Sequence, residues 1–221
     1  MAKAQAGTRK RIGAEARHAQ ILRVAGDMFS KHGIDATSMR KIATKAGVST
    51  ALLYKHFADK EALLLAIGEA FFEKLARYID EAVEGLTDPV KRARASMRAY
   101  ITCGIENPRE YHLTFMTALP RLSRVIEMKA FRERARRGEA TAEDEITIGM
   151  RCFARLERTV SDLVEAKRTR SKDIAAISEA VWAGGHGLVS LIITHENFGF
   201  TETKRLIETS IDLMLNGLLK A

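Results

Sequence analysis

Proline and aromatic residues are scarce in this sequence, and their scarcity limits the fold. Three prolines and 6% aromatic side chains occur among 221 residues. Leucine, alanine, glutamate, lysine and arginine recur instead, and these residues lose little rotamer freedom in a helix. The composition therefore favours an all-α fold, and the 46% of apolar residues is ample for a core.

Cysteine is also scarce, and long apolar runs are missing. Cys103 and Cys152 are too few, and too far apart, to predict a disulfide framework or a zinc site. We find no secretory leader and no apolar run long enough to span a bilayer. We therefore expect a cytoplasmic protein with no membrane partner, no metal and no cofactor.

The positive charge is concentrated at one end of the chain. Residues 1–60 contain twelve lysines and arginines against four acidic residues, whereas the remainder is balanced, so this segment holds the whole net charge of +8. Such asymmetry indicates a polyanionic partner. The alternative is a merely solvated basic surface. In that case this charge and the motif described next would occur together only by chance.

Residues 33–63 have the pattern of a helix-turn-helix. A first helix is expected from about Ala16 to His32, where Gly33 ends it. A short second helix follows a cap at Thr37 or Ser38 and ends near Ala46; Gly47 permits a tight turn, and Ser49 caps a third helix. We divide the chain into a flexible basic arm (1–14), a DNA-binding domain (15–60) and a larger remaining domain (61–221). The arm either contacts DNA or is a tail without a role.

The third helix has the chemistry of a recognition helix. Leu53 faces the core, which leaves small and polar residues for base edges and phosphates. Arg40 near the start of the second helix and Lys60 at the start of the fourth add positive charge where backbone N–H groups favour anions. The predicted DNA contacts are Thr37, Ser38, Arg40, Ser49, Thr50, Ala51, Leu52, Tyr54, Lys55, His56 and Lys60.

The rest of the chain predicts further helices. A long fourth helix, about Asp59 to Glu84, would connect the two domains, with Thr87 capping the helix that follows. The later helices are expected at Val90–Ile105, Pro108–Ala118, Leu122–Arg137, Thr141–Lys167, from a Ser171 cap to about His195, and from a Thr201 cap to the end. The last two have strong apolar stripes, which predict a homodimer with a four-helix interface; the alternative is that they only close the monomer core.

The helix-turn-helix resembles the TetR-type bacterial transcriptional regulators. The matching residues are Gly33, Thr37-Ser38, Ile42-Ala43, Ala46-Gly47-Val48-Ser49, Leu53-Tyr54, His56-Phe57, Lys60-Glu61 and Leu63. The resemblance implies an all-helical homodimer with three N-terminal helices for DNA. It also implies that the larger domain, 61–221, is the effector-binding and dimerisation domain for a small molecule. It also implies that Tyr54, His56 and Lys60 hold phosphates, whereas Arg40 and residues 50–52 face bases. Leu52 departs from the family, which more often has a small or hydroxylated residue there.

A second resemblance lies in the C-terminal half. Trp182-x-x-x-His186-Gly187, together with Pro108-x-x-Tyr111, resembles a TetR subgroup named for its Trp-His-Gly signature. Trp182 and His186 share one helix face and could line an effector pocket; the alternative is a core tryptophan beside a hydrogen-bonded histidine. The pocket candidates are Tyr100, Tyr111, Phe115, Met116, Phe153, Trp182 and His186.

These patterns predict a repressor that leaves a palindromic DNA operator when a small, hydrophobic effector binds the C-terminal domain. Two rival functions are weaker. An enzyme with a DNA-binding appendage lacks a nucleophile elbow, a phosphate loop or metal-ligand spacing. A thiol sensor would use Cys103 or Cys152, but both lie in apolar helical contexts that disfavour the thiolate, although Arg151 is adjacent to Cys152.

Overall fold

The protein is all-helical in this computed structural model, which describes residues 13–117, 133 and 147–220. Among the described residues the one β-type contact is an isolated bridge between Thr169 and Leu219. The predicted all-α fold is confirmed. The helices are α1 (Ala14–His32), α2 (Met39–Ala46), α3 (Thr50–His56), α4 (Lys60–Val83), α5 (Pro89–Glu106), α6 (Pro108–Tyr111), α7 (Ile148–Glu165), α8 (Ile174–Thr194) and α9 (Thr203–Leu218).

The chain folds into two compact units, Met1–Ile67 and Gly68–Ala221. The predicted domain boundary after residue 60 falls at the first residue of α4, which begins in the first unit and ends in the second. Of the predicted arm, residues 1–12 lie outside the described part of the chain, and Ala14 already belongs to α1.

The helix-turn-helix forms where its caps and glycines predict. Ser38 Oγ accepts the backbone N–H of Lys41 at 3.3 Å, and Ser49 Oγ accepts that of Leu52 at 3.1 Å. Between these two caps Gly47 adopts a left-handed conformation, with φ 65° and ψ 32°, which costs a glycine little. The caps therefore fix the starts of α2 and α3, and the glycine fixes the turn between them.

Helix α5 is the central helix of the second unit and packs against α7, α8 and α9. The core between these helices and α4 contains Phe71, Leu75, Ile101, Tyr111, Leu163, Val189, Ile211 and Leu215. Arg98 on α5 donates twice to Glu208 on α9, both at 2.6 Å. This hydrogen bonding lowers the pKa of the Glu208 carboxyl, so the pair stays ionised at neutral pH.

Several predicted helix starts are wrong. Asp88, Asp173 and Glu202 cap α5, α8 and α9, in place of Thr87, Ser171 and Thr201. In each case a carboxylate stands immediately before the first turn and accepts its free N–H groups. The described part of helix α7 runs from Ile148 behind a Thr147 cap; the predicted start at Thr141 lies outside the described residues.

The segment after Pro108 also differs from the prediction of one helix to Ala118. The α-helix ends at Tyr111, and a π-helical turn, His112–Met116, continues it. The wider turn is a recognised local variant, often found at functional positions. Of the predicted helix Leu122–Arg137 the structure describes Glu133 alone, which is helical and exposed.

The expectation that no apolar run is long enough to span a bilayer is wrong for α8. This helix is long and apolar enough by length and composition. It nevertheless packs against α5, α7 and α9, with Val189 fully buried. A core helix of a soluble protein passes the same test, so its composition is weak evidence for a membrane.

Candidate nucleic-acid interface and aromatic cluster

Helix α3 presents polar and aromatic side chains to solvent. Leu53 is completely buried and anchors the helix, while Tyr54 is 52% exposed and Ala51, Lys55 and His56 are exposed beside it. Thr50 and Leu52 are half-buried. The structure therefore provides a short helix with an apolar back and a hydrogen-bonding front, which is what insertion into a major groove requires.

The outer face of α2 is basic. Arg40, Lys41 and Lys45 are exposed and line, with His32 at the end of α1, an open groove of about 880 Å³. None of the described residues that line this groove is acidic. Sequence reasoning missed His32 and Lys45, although the spacing of Lys41 and Lys45 by four residues places both on one helix face.

Both capping serines remain available to a second partner. Each uses an oxygen lone pair to accept a backbone N–H, and the hydroxyl proton is still free to be donated. Ser38 and Ser49 can therefore cap their helices and donate to a phosphate oxygen at the same time.

Thr37 does not fit the predicted role of DNA contact. The residue is 1% exposed, and its hydroxyl lies 2.8 Å from the carbonyl oxygen of Gly33 and 3.4 Å from that of Met28. Its one proton is donated within the fold. Thr37 therefore closes the α1–α2 connection, and the exposed cap beside it is Ser38.

Lys60 also has a structural role. Its ammonium donates to the carbonyl oxygens of Ile34 at 2.7 Å and Asp35 at 3.4 Å. An ammonium has three donors, so one remains for a phosphate. Lys60 thus ties the α1–α2 connection to the start of α4, and any phosphate contact is additional to this tie.

The second unit brings the predicted pocket residues together. Tyr111 is fully buried and stacks on His186, with ring centroids 5.6 Å apart. Phe115 contacts Tyr111 at 4.8 Å and Trp182 at 6.3 Å, and Phe153 meets Trp182 at 5.9 Å. Tyr100 and Met116 complete this group. We call the seven residues, Tyr100, Tyr111, Phe115, Met116, Phe153, Trp182 and His186, the aromatic cluster.

A chain of hydrogen bonds runs through the aromatic cluster. The Trp182 indole N–H donates to the Tyr100 hydroxyl at 3.2 Å. The hydroxyls of Tyr100 and Tyr111 lie 2.9 Å apart, and that of Tyr111 lies 2.7 Å from His186 Nδ1. Because an indole can only donate, Tyr100 is free to donate to Tyr111 and Tyr111 to Nδ1. His186 Nε2 then carries the proton and faces Ser190 Oγ at 3.4 Å.

The pKa shifts agree with this direction of hydrogen-bond donation, from Trp182 towards His186. Burial lowers the pKa of His186 below its ordinary 6.5 and so favours the neutral ring that the chain requires. Burial also raises the pKa of Tyr100 to about 12 and that of Tyr111 above its ordinary value. Both phenols therefore keep their protons, and the whole chain is uncharged at neutral pH.

The lowered pKa of His186 predicts a pH-dependent stability. Unfolding restores an ordinary histidine, so the unfolded chain takes up a proton first as the pH falls below about 6.5. We expect the free energy of unfolding to fall more steeply between pH 7.5 and 5.5 in the wild type than in His186→Asn. Urea unfolding at the two pH values measures this, and the other five histidines are common to both proteins. Equal losses in the two proteins would contradict the prediction.

The cysteines do not have the environment of a thiol sensor. Cys103 and Cys152 are both buried. Burial raises the pKa of Cys103 to about 11 and outweighs the effect of Arg155 and Arg151 on Cys152, whose pKa is also raised. The thiolate, which is the reactive form, is disfavoured at both. Among the described residues no group of three or more His, Cys, Asp or Glu could hold a metal ion.

Two family models match this chain. Residues 21–67 match the model described as bacterial regulatory proteins, tetR family, and residues 93–218 match a tetracyclin repressor-like C-terminal domain. The second match alone covers more than half of the chain. The chain belongs to the TetR family. It is thereby placed among helix-turn-helix transcriptional regulators and not among enzymes, whereas the Trp-His-Gly subgroup stays a prediction.

Curated TetR relatives match part of the chain. The transcriptional activator FasR of Mycolicibacterium smegmatis is 32% identical over 105 residues, which are 48% of each chain. The regulator HbdR of Aromatoleum sp. is 36% identical over 39% of this chain and 38% of its own. The repressor KstR2 of Mycobacterium tuberculosis is 36% identical over 38% and 42%. The matched segments therefore span about half the length of these relatives or less.

Solved structures extend the likeness in fold to nearly the whole chain. A protein of unknown function from Rhodococcus sp. RHA1 superposes with a TM-score of 0.72 at 24% identity, covering 96% of this chain and all of the other. The TetR regulator PfmR of Thermus thermophilus gives 0.65 at 24% identity, with 95% and 100% covered. At this identity the likeness shows the fold alone.

Proposed function

We propose that this TetR-family protein is a cytoplasmic repressor. It binds a palindromic DNA operator as a homodimer and leaves it when a small apolar effector binds the second unit. The observation that carries the DNA-binding part is the exposed front of α3 next to the basic face of α2, both without acidic side chains. The basic face supplies sequence-independent affinity for phosphates, and the α3 side chains supply base selectivity.

The names of the relatives differ in the direction of regulation. KstR2 is named a repressor and FasR an activator. Operator binding alone fits either role, because what differs is where the operator lies relative to the promoter. We choose repression, in which the bound dimer blocks transcription and effector binding relieves the block.

The homodimer is supported by apolar side chains that α8 and α9 leave exposed. Leu213 on α9 is 70% exposed, and Leu191 on α8 is 49% exposed. Large apolar groups exposed on consecutive helices are typical of a subunit interface. A two-fold axis beside these helices would pair them with their copies and would present two copies of α3 to successive major grooves, about 34–36 Å apart.

The effector site is proposed at the aromatic cluster. Its rings offer an apolar surface, and the chain of hydrogen bonds from Trp182 to His186 offers polar atoms at one place within it. Trp182 is 38% exposed, whereas Tyr111 is fully buried. A ligand that reaches Tyr111 must displace packed rings, so binding would favour a conformation different from the free one. Helix α4 contributes Phe71 to the same core and also belongs to the DNA-binding unit, which makes it the proposed route of the change.

The test is binding of the purified protein to the DNA upstream of its own gene. We expect a shifted complex of one dimer per site, confirmed by light scattering, whose affinity falls about 10³-fold between 50 and 200 mM salt. Transcription in vitro from the same DNA should decrease when the protein is added. Binding that shows no preference over unrelated DNA would overturn the proposed operator recognition, and stimulated transcription would replace repressor by activator.

A further inference from the structure

One face of α7 carries arginines that face α4 and α5. Arg155 and Arg158 are three residues apart and therefore lie on one side of the helix. Both line a cavity of about 260 Å³, and Arg92 of α5 lines it as well. Three arginines from two helices thus surround one small cavity in the second unit.

Asp80, which also lines the cavity, and Asp162 beside it compensate this charge only in part. Asp80 pairs with Arg155, and Asp162 lies 3.9 Å from Arg92, which is too far for a hydrogen bond. Arg158 makes no ion pair with any described residue. Among the described residues, the arginines of the cavity therefore outnumber the carboxylates that pair with them, and Arg158 has no acidic partner.

The remaining walls of the cavity are of two kinds. Ile79 and Val83 from the last turns of α4 give an apolar side. Ser96 and Thr159 give hydroxyls. The Thr159 hydroxyl donates to the carbonyl of Arg155 at 3.0 Å, whereas that of Ser96 has no hydrogen bond to the described residues. A hydroxyl and a guanidinium that make no hydrogen bond or ion pair within the described part of the chain are suited to binding an oxyanion.

We propose that this cavity binds the oxyanion group of a small organic acid or phosphate ester. Arg158 and Arg92 would bind the oxyanion through their paired N–H donors. The hydroxyl of Ser96 would be the third side chain that donates to it. The apolar part of the ligand would lie against Ile79 and Val83. No residue of this cavity belongs to the aromatic cluster, so the site is separate from the effector site proposed above and does not depend on it.

The ion pair between Arg155 and Asp80 does not block such a ligand. Both side chains are about half exposed, and exposed pairs contribute little stability. A ligand oxyanion can therefore bind Arg155 together with Asp80, or it can replace Asp80 as the partner of Arg155. Asp80 is thus expected to weaken binding, through its own negative charge, without closing the cavity.

The volume limits the ligand. A cavity of about 260 Å³ lies just below the usual range for ligand pockets, about 300–1,000 Å³. It fits a ligand with a single ring or a short chain. Phenyl phosphate and benzoate are therefore suitable probes, because they combine one oxyanion with one apolar ring and differ only in the anionic group.

The experiment is calorimetric titration of the full chain with each probe at constant ionic strength. We expect saturable binding that Arg158→Gln weakens about tenfold, as removal of one charge-assisted hydrogen bond would, while Asp80→Asn strengthens it. Arg168→Gln removes the same charge from the α7–α8 connection, outside the cavity, and should leave binding unchanged. Tighter binding of phenyl phosphate would assign a phosphate ester, and tighter binding of benzoate a carboxylic acid.

Three results would overturn the proposal. The first is the absence of saturable heat with both probes. The second is that Arg158→Gln and Arg168→Gln weaken probe binding equally, and the third is that Asp80→Asn weakens it. The titration contains no DNA, so its outcome is independent of whether the protein binds an operator. Thermal unfolding of each variant without ligand shows whether the variant is folded, and the Asp80→Asn arm tests the site by a gain that misfolding cannot produce.

Discussion

Arg40→Ala is expected to abolish most of the preference for the operator over unrelated DNA. Arg40 is exposed at the first turn of α2, next to the Ser38 cap, and the family resemblance places it against bases. An arginine that binds a base edge contributes about 1–3 kcal/mol to discrimination. Both subunits of a dimer carry the substitution, so the expected loss is about 2–6 kcal/mol. Competition titrations with specific and unrelated DNA measure it.

Lys55→Ala should act differently, because an exposed lysine near the end of α3 is suited to phosphate and not to a base. We expect weaker binding to specific and unrelated DNA alike. The slope of log affinity against log salt should decrease by about one for each phosphate that the protein no longer binds, hence by about two for a dimer. The two variants therefore separate base contacts from phosphate contacts.

Arg23→Ala is the matched control for both variants. Arg23 lies on α1, is exposed and pairs with Asp27 at 3.7 Å, so its removal lowers the charge of the same unit without touching α2 or α3. If Arg23→Ala reduces affinity as much as Arg40→Ala does, the effect of Arg40 is one of overall charge, and the assignment of Arg40 to base contact is wrong.

The sequence predicted the DNA-binding unit better than the helix starts of the second unit, for a physical reason. Caps and glycines at Ser38, Gly47 and Ser49 are local signals, because the hydrogen bonds they make span three or four residues. At the starts of α5, α8 and α9 two capping residues compete within a short stretch. Ser171 still accepts a hydrogen bond, from the N–H of Asp173, yet Asp173 is the residue that caps α8.

Contacts between distant residues were harder to predict. Lys60 and Thr37 carry the residue types of a DNA contact, but their bonds to Ile34, Asp35 and Gly33 depend on how the α1–α2 connection folds. The hydrogen bond between Tyr111 and His186 joins residues 75 positions apart. Helical spacing placed Trp182 beside His186, but no periodicity in one helix indicates which tyrosine meets them.

The basic groove on α2 and the cavity on α7 also depend on contacts between distant residues, which limits their prediction from the sequence. The arginines of α7 follow a helical spacing visible in the sequence, but the cavity exists only because α4 and α5 pack beside them. Charge spacing along one helix therefore indicates a face, and tertiary packing decides whether that face is a solvated surface or the wall of a site.

Gly104→Ala is expected to destabilise the second unit although alanine is the better helix former. Gly104 is buried in α5, and a methyl group there would lie 2.7 Å from Val189 Cγ1 and 2.9 Å from Tyr111 Cδ2. Alanine gains up to about 1 kcal/mol from helix propensity, whereas overpacking a core costs about 1–3 kcal/mol. Whether Gly104→Ala raises or lowers the stability depends on whether Val189 and Tyr111 can move.

Neither neighbour of Gly104 is free to move. Val189 is completely buried and β-branched, so its rotamer is restricted, and Tyr111 is buried and hydrogen-bonded to both Tyr100 and His186. We therefore expect a net loss of about 1–2 kcal/mol, a decrease in Tm of about 2–8 °C. Trp182 is the single tryptophan, and its fluorescence should change, because its N–H donates to Tyr100 in the same chain of hydrogen bonds.

Gly68→Ala on α4 is the matched control, since it makes the same chemical change in another helix. Within the described part of the chain, a methyl group there would meet the Thr114 side chain alone, at 3.7 and 3.8 Å, which is ordinary van der Waals contact. The propensity gain should then be realised, and Gly68→Ala should unfold at a higher temperature than the wild type, with unchanged Trp182 fluorescence. A Gly104→Ala protein that is equally stabilised would show that Tyr111 shifts at little cost. The aromatic cluster would then be an adaptable site, able to admit an effector by small ring movements, and not a rigidly packed core.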